Sequence, residues 1–220
     1  MIQARSKFVV STNGLSFVNS FSLPFKPVLN LPLIGEIDLN KVIYGLCGGM
    51  CFAALDYYYA GQPVPSYSRT EDLPSNYILY LWDRQINSFG FLVVPKVIEW
   101  MLRDDGDVAV RTARYEVPKI RRALDQGQPV VLGLVRGKGP TDPTVNHQVL
   151  GSGYDFDETT RQFKVYLYDP NYPGLDSSLS MGLASPSQGL QGAQVTGEPF
   201  RGLFVIPYQA QQPPEEHHPD

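Results

Sequence analysis

The sequence predicts an α+β fold, with helices first and a mostly antiparallel sheet after them. Apolar residues between positions 45 and 102 recur at helical spacing, whereas short apolar segments separated by turns dominate after position 128. Helices followed by strands, rather than alternating with them, are typical of the α+β class. A chain of 220 residues suits one domain, which we expect to span 1–208, ahead of a polar tail at 209–220.

The N-terminal part is expected to form a hairpin and then an extended segment. An Asn-Gly pair between two apolar-rich runs suits a tight type I′ turn, here Asn13-Gly14 between Lys7–Ser11 and Leu15–Phe21. Three prolines in 22–44, at positions 24, 27 and 32, predict a loop or an extended surface segment. Residues 1–44 therefore precede the helices.

Three helices are expected next. The first begins near Gly45–Cys47 and ends at about Ala60, because its apolar residues follow helical spacing and Gly61 is a suitable stop. An amphipathic helix is predicted because apolar residues recur at positions i, i+3, i+4 and i+7, here Met50, Ala53, Ala54 and Tyr57. The other two helices are predicted at Asn76–Asn87 and Val94–Leu102.

The second half is expected to supply the sheet and one short helix. A proline at a first helical turn and a glycine after the last one predict a helix over Pro118–Gln126. The continuous apolar run Pro129–Val135 is typical of a strand buried on both faces. Further strands are predicted at Val108–Val117, Gln148–Tyr154, Phe163–Tyr168 and Gly202–Tyr208. The Gly/Ser/Gln-rich segment Gly174–Pro199 has no periodicity and predicts a loop or a lid over the substrate.

Composition excludes several classes of function. The chain has 22 acidic and 18 basic residues and a net charge of −4, so it lacks the basic footprint of a nucleic-acid-binding protein. Two cysteines exclude a disulfide-dense scaffold and a Cys-rich zinc site. We expect no metal and no organic cofactor.

The sequence also predicts a compartment. The N-terminus has no apolar run like that of a signal peptide, and no stretch approaches the 18 apolar residues of a membrane span. We therefore expect a cytoplasmic protein without a membrane span, with export by a non-standard route left open. The oligomeric state is not predicted.

One cysteine stands where thiol chemistry is favoured. Cys47 lies at the predicted start of a helix and is followed by Gly48 and Gly49. The positive end of the helix dipole lowers a thiol pKa, and the free backbone N–H groups there, that of Gly48 among them, can bind an oxyanion. Cys51 lies one turn further into the apolar helix, where core packing is the more usual role, and is the alternative nucleophile.

A histidine and an aspartate complete the candidate set. His147 is the one histidine outside the tail, which holds His217 and His218, and it stands at the start of a predicted strand. Asp169 ends the next predicted strand, so adjacent antiparallel strands would place the carboxylate beside the imidazole. Such an acid orients the base of a nucleophile–base–acid triad. Asn171 is the alternative orienting residue.

These motifs resemble the papain-like cysteine peptidases, and most closely the bacterial leader-peptide (double-glycine) peptidases. The matches are Cys47-Gly48 at a helix start, His147 followed by Gly153-Tyr154-Asp155, and Asp169-Pro170, over roughly residues 40–208. The resemblance implies a papain-like fold with Cys47 as nucleophile, His147 as base and Asp169 as orienting acid. In the family, a glutamine about six residues before the cysteine donates a hydrogen bond to the oxyanion. Here Lys41 takes its place, and Asn40 is the nearest amide that could substitute in that role.

The resemblance implies a thiol hydrolase that cleaves an amide or peptide bond of a peptide or protein substrate through an acyl-enzyme. Deamidation or transglutamination by an effector of the same fold uses the same machinery. The missing glutamine favours a second class of function, a papain-fold binding module whose site no longer catalyses.

Overall fold

The computed structural model describes residues 1–21, 28–31, 35–38, 45–140 and 143–214, and it has an α+β fold with an antiparallel sheet. The helices are α1 (Val10–Asn13), α2 (Cys47–Ala60), α3 (Ser75–Met101), α4 (Asp105–Arg111) and α5 (Val117–Asp125). The strands are β1 (Ile2–Arg5), β2 (Val28–Leu31), β3 (Gly35–Asp38), β4 (Val130–Val135), β5 (His147–Asp157), β6 (Gln162–Tyr168), β7 (Ser177–Gly182), β8 (Gln191–Gln194) and β9 (Gly202–Ile206).

The main sheet has the strand order β8-β7-β6-β5-β4-β9, and every pairing is antiparallel. Strand β5 is long enough to pair with two strands along one edge. Its first half pairs with β4, and its second half, after an irregularity between Gly151 and Gly153, pairs with β1. Strands β2 and β3 form a separate two-stranded sheet.

Two layers of core lie on the two faces of this sheet. Along β4 the side chains alternate, so that Val131 and Val135 pack with α2 and α3 while Val130, Leu132 and Leu134 pack with α5. All six residues of β4 are buried, as the apolar run predicted. The sheet is therefore the middle layer, and His147 begins its central strand β5.

The predicted bounds of α2 are confirmed, and its end is set by Gly61 in the left-handed conformation (φ 66°). The predicted amphipathic character is wrong, because every residue from Gly48 to Tyr57 is buried. A helix enclosed on all sides lies inside the molecule rather than on its surface. Its glycines permit this packing, since a Cβ at Gly49 would lie 2.2 Å from the Leu81 carbonyl oxygen of α3.

The two helices predicted after α2 are both present, as the two arms of α3. The backbone leaves helical geometry at Gly90, with φ 45° and ψ 167°, so the arms are joined at a kink. Glycine tolerates this positive φ without the steric cost that other residues carry. Pro95 lies within the second arm.

Three predicted elements are wrong. The N-terminal hairpin is replaced by β1 and the helical turn α1, in which Asn13 Oδ1 accepts the Val9 N–H and Gly14 keeps a negative φ of −82°. The predicted strand Val108–Val117 is instead the end of α4 and a π-helical turn at Thr112–Glu116. Its apolar and polar residues alternate as they would in a strand, but the segment is helical, with Val108 and Ala109 buried. The predicted lid Gly174–Pro199 instead contains β7 and β8, which extend the sheet.

The predicted polar tail begins with a docked segment. Asp56 and Arg84 form an ion pair (Arg84 Nε to Asp56 Oδ2, 2.7 Å) with both side chains almost fully buried. Asp56 also accepts hydrogen bonds from the Tyr80 and Tyr208 hydroxyls, both 2.6 Å, and from the Gln211 N–H at 2.9 Å. Residues beyond the last strand are thus fixed to α2 and α3, while 215–220 lie outside the described residues.

Candidate active site

The first residue of α2 presents its side chain at the helix start. Cys47 is partly exposed, whereas the ten residues that follow it are buried. The N-cap residue Leu46 supplies no side-chain hydrogen bond to the helix. The sulfur therefore lies beside the backbone N–H groups that a helix start leaves without intrahelical acceptors.

The side chains of Cys47, His147 and Asp169 come together. His147 Nε2 lies 2.8 Å from Asp169 Oδ1, and the imidazole lies close enough to the Cys47 thiol to lower its pKa. Because Nε2 contacts the aspartate, Nδ1 is the ring nitrogen that remains for the sulfur. The predicted juxtaposition follows from the sheet, in which His147 begins β5 and Asp169 follows the end of the neighbouring β6.

The charges of this group favour an ion pair between cysteine and histidine. Burial acts to raise the pKa of Cys47, but the hydrogen bond and charge of His147 and the N–H groups of Gln148 and Gly48 outweigh it, so the pKa is lowered. Burial acts to lower the pKa of His147, but its bonds to Asp169 and Cys47 raise it to about 9. These shifts move the pair toward a thiolate on Cys47 and an imidazolium on His147.

Asp169 is fully buried, and other groups occupy both of its oxygens. Oδ1 accepts the Asn171 N–H at 3.0 Å as well as contacting His147, and Oδ2 accepts from Gln194 Nε2 at 2.7 Å. Burial acts to raise the pKa of Asp169, but these contacts, that of His147 foremost, lower it. The alternative orienting residue, Asn171, instead accepts a hydrogen bond from Asn19 Nδ2 through its own side chain.

Gln194 is the site residue that sequence reasoning missed. It ends β8, within the segment predicted to be a loop or lid. A glutamine in a Gly/Ser/Gln-rich stretch carries no motif, and its neighbour Asp169 is distant in sequence. The pairing of β7 with β6, and of β8 with β7, brings it to the aspartate.

Cys51, the alternative nucleophile, does not share this environment. It is fully buried, and its sulfur faces the Gln148 carbonyl oxygen at 3.8 Å. Burial, with the charges of Cys47 and Asp169, raises its pKa well above that of an ordinary thiol. The geometry therefore favours Cys47 over Cys51 as the reactive thiol.

Buried polar side chains from α3 and β5 surround the start of α2. Gln85 Oε1 accepts the Gly49 N–H at 2.9 Å, which satisfies one of the backbone donors of the helix start. A Cβ at Gly48 would lie 2.1 Å from Ser88 Oγ and 2.5 Å from Gln148 Oε1, so only glycine fits there. The absence of a side chain at Gly48 thus permits the close packing of α2 against α3 and β5. Asn40, the expected oxyanion support, lies outside the described residues.

No family model, curated protein or solved structure matches this chain. Within the ranges that the structure describes, no helix has both the length and the apolar character needed to cross a membrane. In the same ranges, no three His, Cys, Asp or Glu side chains are grouped in a way that could hold a metal ion. Function is therefore inferred from the geometry of Cys47, His147 and Asp169.

Proposed function

We propose that this protein is a thiol hydrolase of papain-like fold that cleaves an amide bond in a peptide or protein. The observation that carries the proposal is His147, whose imidazole contacts the Asp169 carboxylate at 2.8 Å and the Cys47 thiol at the start of α2. A nucleophile, a base and an orienting acid in this order are the elements of acyl transfer by a triad.

In the first half of the reaction, the Cys47 thiolate attacks the carbonyl carbon of the substrate amide. The Cys47 and Gly48 N–H groups at the start of α2 then stabilise the negative oxygen of the tetrahedral intermediate. The His147 imidazolium donates its proton to the amide nitrogen, and the C–N bond breaks. The products of this step are a free amine and a thioester on Cys47.

In the second half, neutral His147 accepts a proton from water, and the resulting hydroxide attacks the thioester carbonyl. The C–S bond breaks, the carboxylic acid leaves, and the ion pair between Cys47 and His147 forms again. Asp169 keeps the imidazole in position and stabilises its charged form throughout. If the leaving amine is ammonia, the same steps deamidate a glutamine side chain.

The first test is the rate of iodoacetamide alkylation at each cysteine between pH 4 and 9, mapped by mass spectrometry. At pH 6 we expect Cys47 to react about tenfold or more faster than a free thiol of pKa about 8.5, because its lowered pKa leaves a larger fraction of it as thiolate. His147→Ala is expected to abolish this advantage. Cys51→Ala is the matched control and should leave the Cys47 rate unchanged.

A substrate assay completes the test. Purified protein is incubated with a mixture-based library of peptides, and new termini or deamidated side chains are identified by mass spectrometry. Turnover that Cys47→Ala and His147→Ala both abolish supports the proposal. An ordinary, slow thiol at Cys47 contradicts it and favours a binding module of the same fold.

A further inference from the structure

A chain of polar contacts continues behind Asp169, on the side away from His147. Gln194 is 3 % exposed, and its Nε2 donates to Asp169 Oδ2 at 2.7 Å. Its Oε1 accepts a hydrogen bond from Arg136 Nη2. The same Arg136 nitrogen contacts Glu198 Oε2 at 3.1 Å.

These contacts fix the direction of the Gln194 amide. In the opposite orientation, Oε1 would face the Asp169 carboxylate and Nε2 would face the Arg136 guanidinium, which are two repulsive contacts in place of two attractive ones. The guanidinium is itself held by Glu198 through a salt bridge. The amide can therefore present only its N–H to Asp169.

The backbone around Gln194 is also fixed. Its own N–H donates to the Glu198 carbonyl oxygen at 3.0 Å, and the Gly197 N–H returns to the Gln194 carbonyl oxygen at 2.9 Å. This turn brings Glu198 back to the guanidinium of Arg136. The position of Gln194 thus depends on the edge hairpin that contains β7 and β8.

We propose that Gln194 is a positioning residue, which holds the Asp169 carboxylate so that Oδ1 faces His147, and that Arg136 fixes Gln194 for this task. The inference rests on the proposed thiol hydrolase, to which it adds a fourth residue from the sheet edge. Gln194 acts through Asp169 and touches no reacting atom.

The physical reason lies in the burial of Asp169. Its side chain is fully buried, so no bulk water is at hand to replace a lost hydrogen bond on Oδ2. Without Gln194, Oδ2 would have no donor, and the carboxylate would gain by turning so that Oδ2 shares the donors that Oδ1 now holds, His147 and the Asn171 N–H. The bond between Oδ1 and Nε2 would then lose its geometry, and the imidazolium would lose stabilisation.

The test compares Gln194→Met, which keeps the volume but removes both hydrogen bonds, with Gln188→Met as the control. Gln188 lies on the same segment and is exposed. The readout is the pKa of His147, measured by NMR on ¹³C-labelled histidine in a His217→Ala/His218→Ala background, where His147 is the only imidazole. The second readout is the iodoacetamide rate of Cys47 at pH 6.

For Gln194→Met we expect the pKa of His147 to fall by one pH unit or more and the Cys47 rate to fall about tenfold. Gln188→Met should change neither quantity. A Gln194→Met protein that folds and keeps the wild-type pKa of His147 and the wild-type Cys47 rate would overturn the inference.

If Gln194→Met does not fold, Arg136→Met decides the question, because it releases the far end of the same amide. For Arg136→Met we expect the pKa of His147 and the Cys47 rate to fall as well, but by less than in Gln194→Met. If neither quantity changes, the inference is overturned. An ordinary thiol at Cys47 in the wild type contradicts the proposed hydrolase, but the His147 comparison still tests the positioning by Gln194.

Discussion

Cys47 and Cys51 lie one turn apart on α2, and the protein shifts their thiol pKa values in opposite directions. Burial acts to raise the pKa of both thiols. Only Cys47 also receives the hydrogen bond and charge of His147, together with the Gln148 and Gly48 N–H groups. One helix therefore carries a thiol prepared for ionisation and a thiol that stays protonated in the core.

The first prediction concerns the pH dependence of turnover. Because the pKa of Cys47 is lowered, the thiolate is present below the ordinary thiol range, and the rate should rise on the acid side. Because the pKa of His147 is raised to about 9, the imidazolium that protonates the leaving amine is lost above that pH. A bell-shaped profile of kcat/KM between pH 4 and 10 is expected. A single rise near pH 8.5 with no later fall would contradict it.

The second prediction is that Asp169→Asn impairs catalysis while keeping the shape of the side chain. The substitution removes the charge beside His147 Nε2, so the imidazolium is less stable and the ring less well held. A loss in kcat/KM of roughly 10²–10⁴-fold is expected, the range that general acid–base groups contribute. Asp176→Asn, at an exposed position nearby in sequence, is the control and should retain full activity.

The candidate site could be predicted because its residues carry local signals. A glycine-flanked cysteine at the start of an apolar run predicts a helix start, and α2 begins at Cys47. His147 and Asp169 border two apolar strands joined by a short polar turn, so their proximity follows from antiparallel pairing. The pattern that predicts each of these elements spans about ten residues, which is the range over which hydrophobic periodicity can be recognised.

The rest of the fold depends on contacts between distant residues. Val108–Val117 alternates like a strand, but a helical turn there lets Thr112 Oγ1 accept the Leu203 N–H at 3.1 Å and Glu116 Oε2 accept the Val205 N–H at 3.1 Å. Strands β7 and β8 have few apolar residues, and pairing with β6 defines them. Gln194 could not be predicted for the same reason.

The third prediction is that breaking the buried Asp56–Arg84 pair strongly destabilises the protein. Asp56→Ala leaves the Arg84 guanidinium charged and without its carboxylate in the core, at about 1 % exposure. Such changes typically cost about 3–5 kcal/mol in free energy of unfolding. Urea denaturation at pH 7 measures it. Glu71→Ala, which removes the exposed pair with Arg69, is the control and should leave the midpoint unchanged.

The fourth prediction is that Gly49→Ala destabilises the contact between α2 and α3. The new methyl group would lie 2.2 Å from the Leu81 carbonyl oxygen, so one helix has to shift. Overpacking of this kind costs about 1–3 kcal/mol, measurable by urea denaturation. Gly182→Ala is the control, because its nearest neighbour is the end of the flexible Gln162 side chain at 3.3 Å. Equal stability of the two variants would contradict the prediction.

The order of the site residues along the chain has a consequence for biosynthesis. The ribosome makes Cys47 early, His147 and Asp169 much later, and Gln194 later still. Until β5 and β6 have emerged and paired, the nascent cysteine has neither its imidazole nor its carboxylate, and its thiol remains as unreactive as any other. The lowered thiol pKa of Cys47 would thus arise only with completion of the sheet, so under the proposed function a partly synthesised chain would not yet carry a reactive nucleophile.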